Sequence, residues 1–145
     1  MKKIILSAVI FILFGFILGQ ILFSEKLVSV KNIDQVYFLQ EGVYVNKNNL
    51  QNNLIELVPK VIENINNKYY VYLGITRDKK VLKKLQDIYK DKGIKVYVHE
   101  KNINSPSFIM NVEQFDLLIN DTNDSNQVLT IEEIVLSNYE EMIKK

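Results

Sequence analysis

The chain has 145 residues, a formal net charge of +1, 48% hydrophobic and 24% charged residues, and no cysteine. That length accommodates one domain plus extensions and buries a core without covalent staples. The missing cysteines exclude a disulfide framework and thiol chemistry, and the near-neutral balance argues against DNA binding driven by overall charge.

The N-terminus opens with two lysines, and residues 4–23 then run without a charged side chain. Twenty helical residues span about 30 Å, the thickness of a bilayer hydrocarbon core. A cleaved secretory signal competes with this reading. Its apolar region is usually about 7–15 residues long and ends at a small-residue site. Here Ile21, Leu22 and Phe23 prolong the apolar run past Gly19 and Gln20. We expect a membrane anchor over residues 1–24 and a linker over 25–34. Lys2 and Lys3 place the N-terminus in the cytoplasm and the remainder outside.

Residues 36–43 alternate as a strand. Asn46 is the natural N-cap of the next helix, whose apolar face is Leu50, Leu54, Leu57 and Val58. Pro59 breaks that helix. Residues 60–65 suit a short strand and Asn66-Asn67 a turn. Residues 68–75 form a strand rich in aromatic and β-branched side chains. Asp78 caps a second helix with Val81, Leu82, Leu85, Ile88 and Tyr89 on one side, and Gly93 stands where a left-handed C-terminal cap belongs. Residues 94–99 alternate as a last strand. Gly42 and Gly74 lie 32 residues apart, each followed four residues later by a cap and eight later by an apolar Leu. That is a two-fold repeat of a strand–helix unit, which packs as one sheet with both helices on one face.

Beyond Ser105-Pro106, Ser107 can cap a helix carrying Phe108, Val112, Phe115 and Leu118 or Ile119. A polar loop spans residues 120–127. Thr130 and Glu133 then have capping-box spacing ahead of a helix with Ile131, Ile134, Val135, Tyr139 and Met142 on its apolar side. Glu132-Glu133 and Glu140-Glu141 read as its wet face. The spacing of Asp121, Asn123, Ser125 and Glu132 imitates a calcium loop, but Asn126 stands where such a loop requires Gly, and a capped inter-helix loop explains the stretch.

Residues 37–44, Tyr-Phe-Leu-Gln-Glu-Gly-Val-Tyr, are similar to the opening strand of the SPOR (sporulation-related) domain family, Tyr-x-Val-Gln-x-Gly-x-aromatic. Residues 68–74, Lys-Tyr-Tyr-Val-Tyr-Leu-Gly, resemble that family's third strand, and residues 93–98 fit its closing one. The likeness covers roughly residues 35–101, more than half of the chain beyond the apolar segment. It departs from the pattern at Thr76, where an aromatic is usual, and at Glu41, where an apolar residue is. The resemblance implies an α+β fold, a ribonucleoprotein-type four-stranded antiparallel sheet in the order βαββαβ with two helices on one face. To this the chain adds the N-terminal transmembrane helix and a C-terminal helical extension. The domains expected are therefore the anchor 1–24, the linker 25–34, the SPOR-like domain 35–103 and the extension 104–145, a tail of the kind seen in clostridial members. The resemblance further implies a single-pass protein of the bacterial cell membrane that binds peptidoglycan glycan strands stripped of their peptides, at sites of septal or spore wall synthesis. A scaffold for other division or sporulation membrane proteins is the alternative.

Alternation assigns faces without any family knowledge. With Leu39, Val71, Leu73, Ile94, Val96 and Val98 toward the helices, Phe38, Gln40, Tyr70, Tyr72, Lys95, Tyr97 and His99 point the other way. Left open, that face is a ligand-binding surface in which Phe38, Tyr70, Tyr72 and Tyr97 stack and Gln40 bridges hydroxyl or acetamido groups. Covered by the C-terminal helices, the same aromatics are core. His99 is the sole histidine, so we expect no catalytic residues, no metal and no cofactor. Stacking of RNA bases on such a face would need a cytoplasmic domain, and we expect no nucleic-acid partner.

Overall fold

The structure, a computed structural model, describes residues 35–54 and 56–145. The anchor and linker expected over residues 1–34 lie outside the described residues. Strand β1 (Gln35–Tyr44) is followed by α1 (Lys47–Asn53), β2 (Val61–Ile65), β3 (Lys68–Thr76), α2 (Lys79–Asp91), β4 (Tyr97–Asn102), α3 (Pro106–Asp121) and α4 (Ser125–Ile143). This is an α+β architecture with one antiparallel sheet in the order β2-β3-β1-β4.

The local signals that start and stop these elements are the expected ones in the first half. Asn46 accepts a hydrogen bond from the Asn49 amide at 2.8 Å, and Asp78 accepts from the Lys80 and Val81 amides at 2.6 and 3.4 Å. Asn66 and Asn67 take φ of 52° and 62°, the left-handed pair that a two-residue hairpin turn needs. Gly93 takes φ 73° past the end of α2.

Helix α1 stops at Asn53, short of the span expected, and Leu57 is 94% exposed instead of facing the core. Pro59 drives the residue before it away from helical geometry, and consecutive asparagines give the helix little propensity to continue. The last strand begins at Tyr97 and not at Ile94, because the β1–β4 ladder ends at Gln40↔Tyr97. Immediately beyond Gln40 the edge of β1 is broken by a bulge. Ile94 and Val96 still pack on the α1/α2 side, but without ladder pairing.

The two central strands carry a pair of opposed bulges. Leu39 faces Gly74, Gln40 faces Tyr72 and Gly42 faces Val71, so Leu73 is the extra residue on β3 and Glu41 the extra residue on β1. The second bulge restores the step lost at the first. The bulge also flips the alternation of β3: Tyr70 and Tyr72 join one core cluster and Leu73 the other, yet Ile75 returns to the side of Tyr72.

One core lies between the sheet and helices α1 and α2, built on Leu39, Val71, Leu73, Val81, Leu85 and Tyr89. A second core lies on the opposite face. There α3 and α4 form an antiparallel hairpin whose Phe108, Ile109, Val112, Val135, Leu136 and Tyr139 bury Val36, Phe38, Tyr72 and Ile75. Each such side chain removed from water stabilises the fold by roughly 1.5–3 kcal/mol. That is why two amphipathic helices settle on the aromatic face.

The hairpin differs in detail from its sequence signals. Ser105, not Ser107, precedes α3, with Pro106 in its first turn. Helix α4 starts at Ser125 behind Asp124, which accepts from the Asn126 and Gln127 amides. Thr130 is therefore an interior residue whose hydroxyl donates to the Asn126 carbonyl at 2.9 Å. Lys84 of α2 ends α3 by donating to the Ile119, Asn120 and Thr122 carbonyls at 2.7, 3.1 and 2.8 Å.

Candidate functional site

The residues assigned from sequence to an open sheet face divide into two groups. Phe38 and Tyr72 are fully buried beneath the hairpin, in edge-to-face contact with each other at 5.0 Å and with Tyr139 at 5.1 and 6.4 Å. For these two the open-face expectation is corrected: the apolar stripes of α3 and α4 turn their rings into core. Tyr97 is 48% exposed, Tyr70 is half-buried and stacked on Tyr72 at 6.4 Å, and Gln40 is 8% exposed between them.

Cross-strand pairing sets what remains uncovered into rows. Tyr97 pairs with Gln40 and Gln40 with Tyr72, while Val43 pairs with Tyr70 and Tyr70 with Glu63. Paired residues share a face, so Val43, 41% exposed, stands beside Tyr70. The result is a narrow strip at one end of the sheet, with two tyrosines and a valine for apolar contact; Gln40, expected to bridge a ligand, is instead buried beside it.

Lys101 bounds this strip. From the edge strand β4 its Nζ reaches over the Phe38 ring, 4.7 Å from the centroid, and over the Tyr72 ring at 4.3 Å, then pairs with Glu63 of β2 at 2.8 Å. The Tyr139 hydroxyl donates to the same Glu63 oxygen at 3.0 Å. Burial, reinforced by Glu63, raises the phenols of Tyr72 and Tyr139 above the usual range, so both are neutral donors. Lys101 thus straps the two edge strands together across the face and marks where covered core gives way to exposed strip. The alternation that assigns Tyr97 and His99 to this face, carried one step further, reaches Lys101.

A second polar group sits where the hairpin meets β3. Glu132, assigned from sequence to the wet face of α4, is fully buried. Its Oε1 accepts from the Ile75 amide at 2.5 Å, and its Oε2 has no hydrogen-bond partner among the described residues. Burial pushes its carboxyl up to about 8, with the Ile75 amide opposing and the nearby Asp116 adding to the rise. Asp116 of α3 accepts from the Thr76 hydroxyl at 2.5 Å and from the Arg77 amide at 2.9 Å. Burial nevertheless pushes it up to about 6. Both acids interrupt apolar stripes at helical spacing: Asp116 between Val112 and Ile119, Glu132 between Leu129 and Val135. That spacing was the signal available for them.

A cleft of about 340 Å³ beside Asp116 is lined by Arg77, Asp78, Glu113, Asp116 and Leu117. Its polar side chains are already engaged, Arg77 with Glu113 and the Gln35 carbonyl, and Asp78 with the α2 amides and Asn120. Among the described residues no group of three His, Cys, Asp or Glu side chains is arranged to hold a metal ion. No described helix is long and apolar enough to cross a membrane.

Comparison with protein-family models, with curated proteins and with solved structures returns no match.

Proposed function

We propose that the chain is a single-pass membrane protein of a bacterial cell whose extracytoplasmic, SPOR-like domain binds peptidoglycan glycan strands through the uncovered strip of its sheet. On this reading the sheet is of the ribonucleoprotein type, the protein is not an enzyme, and its role is recruitment to sites of septal or spore wall synthesis. The observation that carries it is the strip itself. Tyr97, Tyr70 and Val43 present apolar surface at the end of the sheet that the hairpin leaves uncovered, with Gln40 buried beside them. Tyrosine suits sugars because its ring stacks on their apolar faces while its hydroxyl bonds their oxygens. The apolar run at residues 4–23 supports delivery of that strip to the outer side of a membrane.

The test is co-sedimentation of the full chain, in mild detergent, with purified sacculi and with denuded glycan strands. Replacing Tyr70 and Tyr97 together by Ala weakens retention at least several-fold while far-UV circular dichroism is unchanged. Retention equal to wild type would remove the strip from consideration.

A scaffold role is favoured by a different observation. Met110 and Leu117 on the outer face of α3, with Leu118 and Ile134, leave 46–66% of their surface exposed. If the chain does not sediment with glycan but is crosslinked to a membrane partner through Leu117, the scaffold reading replaces the first.

A further inference from the structure

We propose that Lys68 and Lys95 read the carboxylates that peptide-free amino-sugar strands carry along their length. This rests on the glycan reading above and adds to it the residues that recognise the ligand's charge.

The strip is rimmed by cations. Alternation along β3 puts Lys68 on the same face as Tyr70, two residues before it and next to the Asn66-Asn67 turn. On the other side of the strip the Lys95 ammonium lies 5.1 Å from the centroid of the Tyr97 ring. Both lysines are exposed, and among the described residues neither has a carboxylate in ion-pair contact. Lys101 differs: its charge is matched by Glu63, which is also held by Tyr139.

The face therefore has an excess of positive charge next to its stacking surface. Lys68 stands on β3 and Lys95 just before β4, and β1 lies between those two strands, so the lysines flank the strip from opposite sides. A single sugar ring on Tyr97 or Tyr70 leaves its substituents within reach of one lysine, and a longer chain engages both. A neutral amino-sugar chain gains only the stacking. A chain with carboxylates gains stacking and charge, and the ring beneath the Lys95 ammonium holds that cation at the strip instead of letting it swing away.

The experiment compares denuded glycan strands with the same strands after carbodiimide amidation of their carboxylates, using the full chain in detergent. Wild type is expected to bind the intact strands about tenfold more tightly than the amidated ones at low salt, the scale of two exposed charge contacts. The preference disappears in about 0.5 M salt. Lys68→Gln with Lys95→Gln abolishes the preference and leaves binding of the amidated strands unchanged. Equal binding of wild type to both polymers overturns the charge inference while the glycan reading stands. A preference that persists in the double variant overturns the assignment to Lys68 and Lys95. Binding to neither polymer overturns both.

Discussion

Glu132→Gln isolates the cost of a buried ionisable group. The side chain is fully buried, one oxygen holds the Ile75 amide and the other has no partner among the described residues. Gln keeps the shape and the accepting oxygen. Its amide group is as unpartnered as the acid proton it replaces, so that penalty is common to both proteins. What differs is ionisation. Burial raises the Glu132 carboxyl from the ordinary 4.5 to about 8. The native state therefore holds its proton after the unfolded chain has released it. Wild-type stability from this group is intact below about pH 4.5, declines as pH rises, and is fully lost above about pH 8. At about 1.4 kcal/mol per pH unit, the full decline is on the order of 5 kcal/mol. The assay is urea unfolding followed by far-UV circular dichroism at about pH 4.5, 6 and 8. The variant should match wild type at the lowest pH and be several kcal/mol more stable at the highest. Asp116, raised to about 6 by burial, remains in both proteins and supplies a common slope at lower pH. A variant no more stable than wild type at pH 8 would mean that Glu132 has a compensating partner, and the reasoning from burial would fail.

Two further substitutions test the packing. Phe38→Ala should cost about 3–5 kcal/mol in the same unfolding assay, because the ring is completely enclosed by Tyr72, Tyr139 and the hairpin; Tyr97→Ala, at the exposed end of the same face, should stay within about 0.5 kcal/mol. Gly74→Ala should destabilise by about 1–3 kcal/mol, since a Cβ there meets Leu39 Cδ1 at 3.1 Å and Leu85 Cδ1 at 3.2 Å from opposite elements. Pairing it with Leu85→Val should recover part of the loss.

The strand and helix order through residue 102 is legible because its signals are local. Asn46, Asp78 and Gly93 act within a turn of their own positions, and alternation sorts Leu39, Val71 and Leu73 from Phe38, Tyr70 and Tyr72 correctly between faces. The fate of the aromatic face was not local. Whether Phe38 and Tyr72 meet solvent depends on where residues more than thirty positions away dock, and their stripes are equally compatible with an intramolecular or an intermolecular partner. Glu132 was misplaced for a related reason. An acid beside another acid on a helix normally points to water, and only the Ile75 amide on another element shows that this one points inward. The bulges left no pattern of their own, because each adds a residue that the other cancels.

That cancellation bears on how the hairpin finds its seat. Leu73, the extra residue of β3, presents its carbonyl to the Tyr89 hydroxyl at 2.6 Å, and two residues on the Ile75 amide goes to Glu132. The broken rung is thus keyed from both sides, by α2 below and α4 above. Slide α4 by one helical turn, about 5.4 Å, and its apolar stripe would still meet apolar surface, but Glu132 would be left without a donor in the core. Grease alone would allow several alignments; the irregularity in the sheet allows one. Deleting Glu41 and Leu73 together should straighten the ladder and blunt both keys, so the sheet would gain regularity and the roof would lose its address.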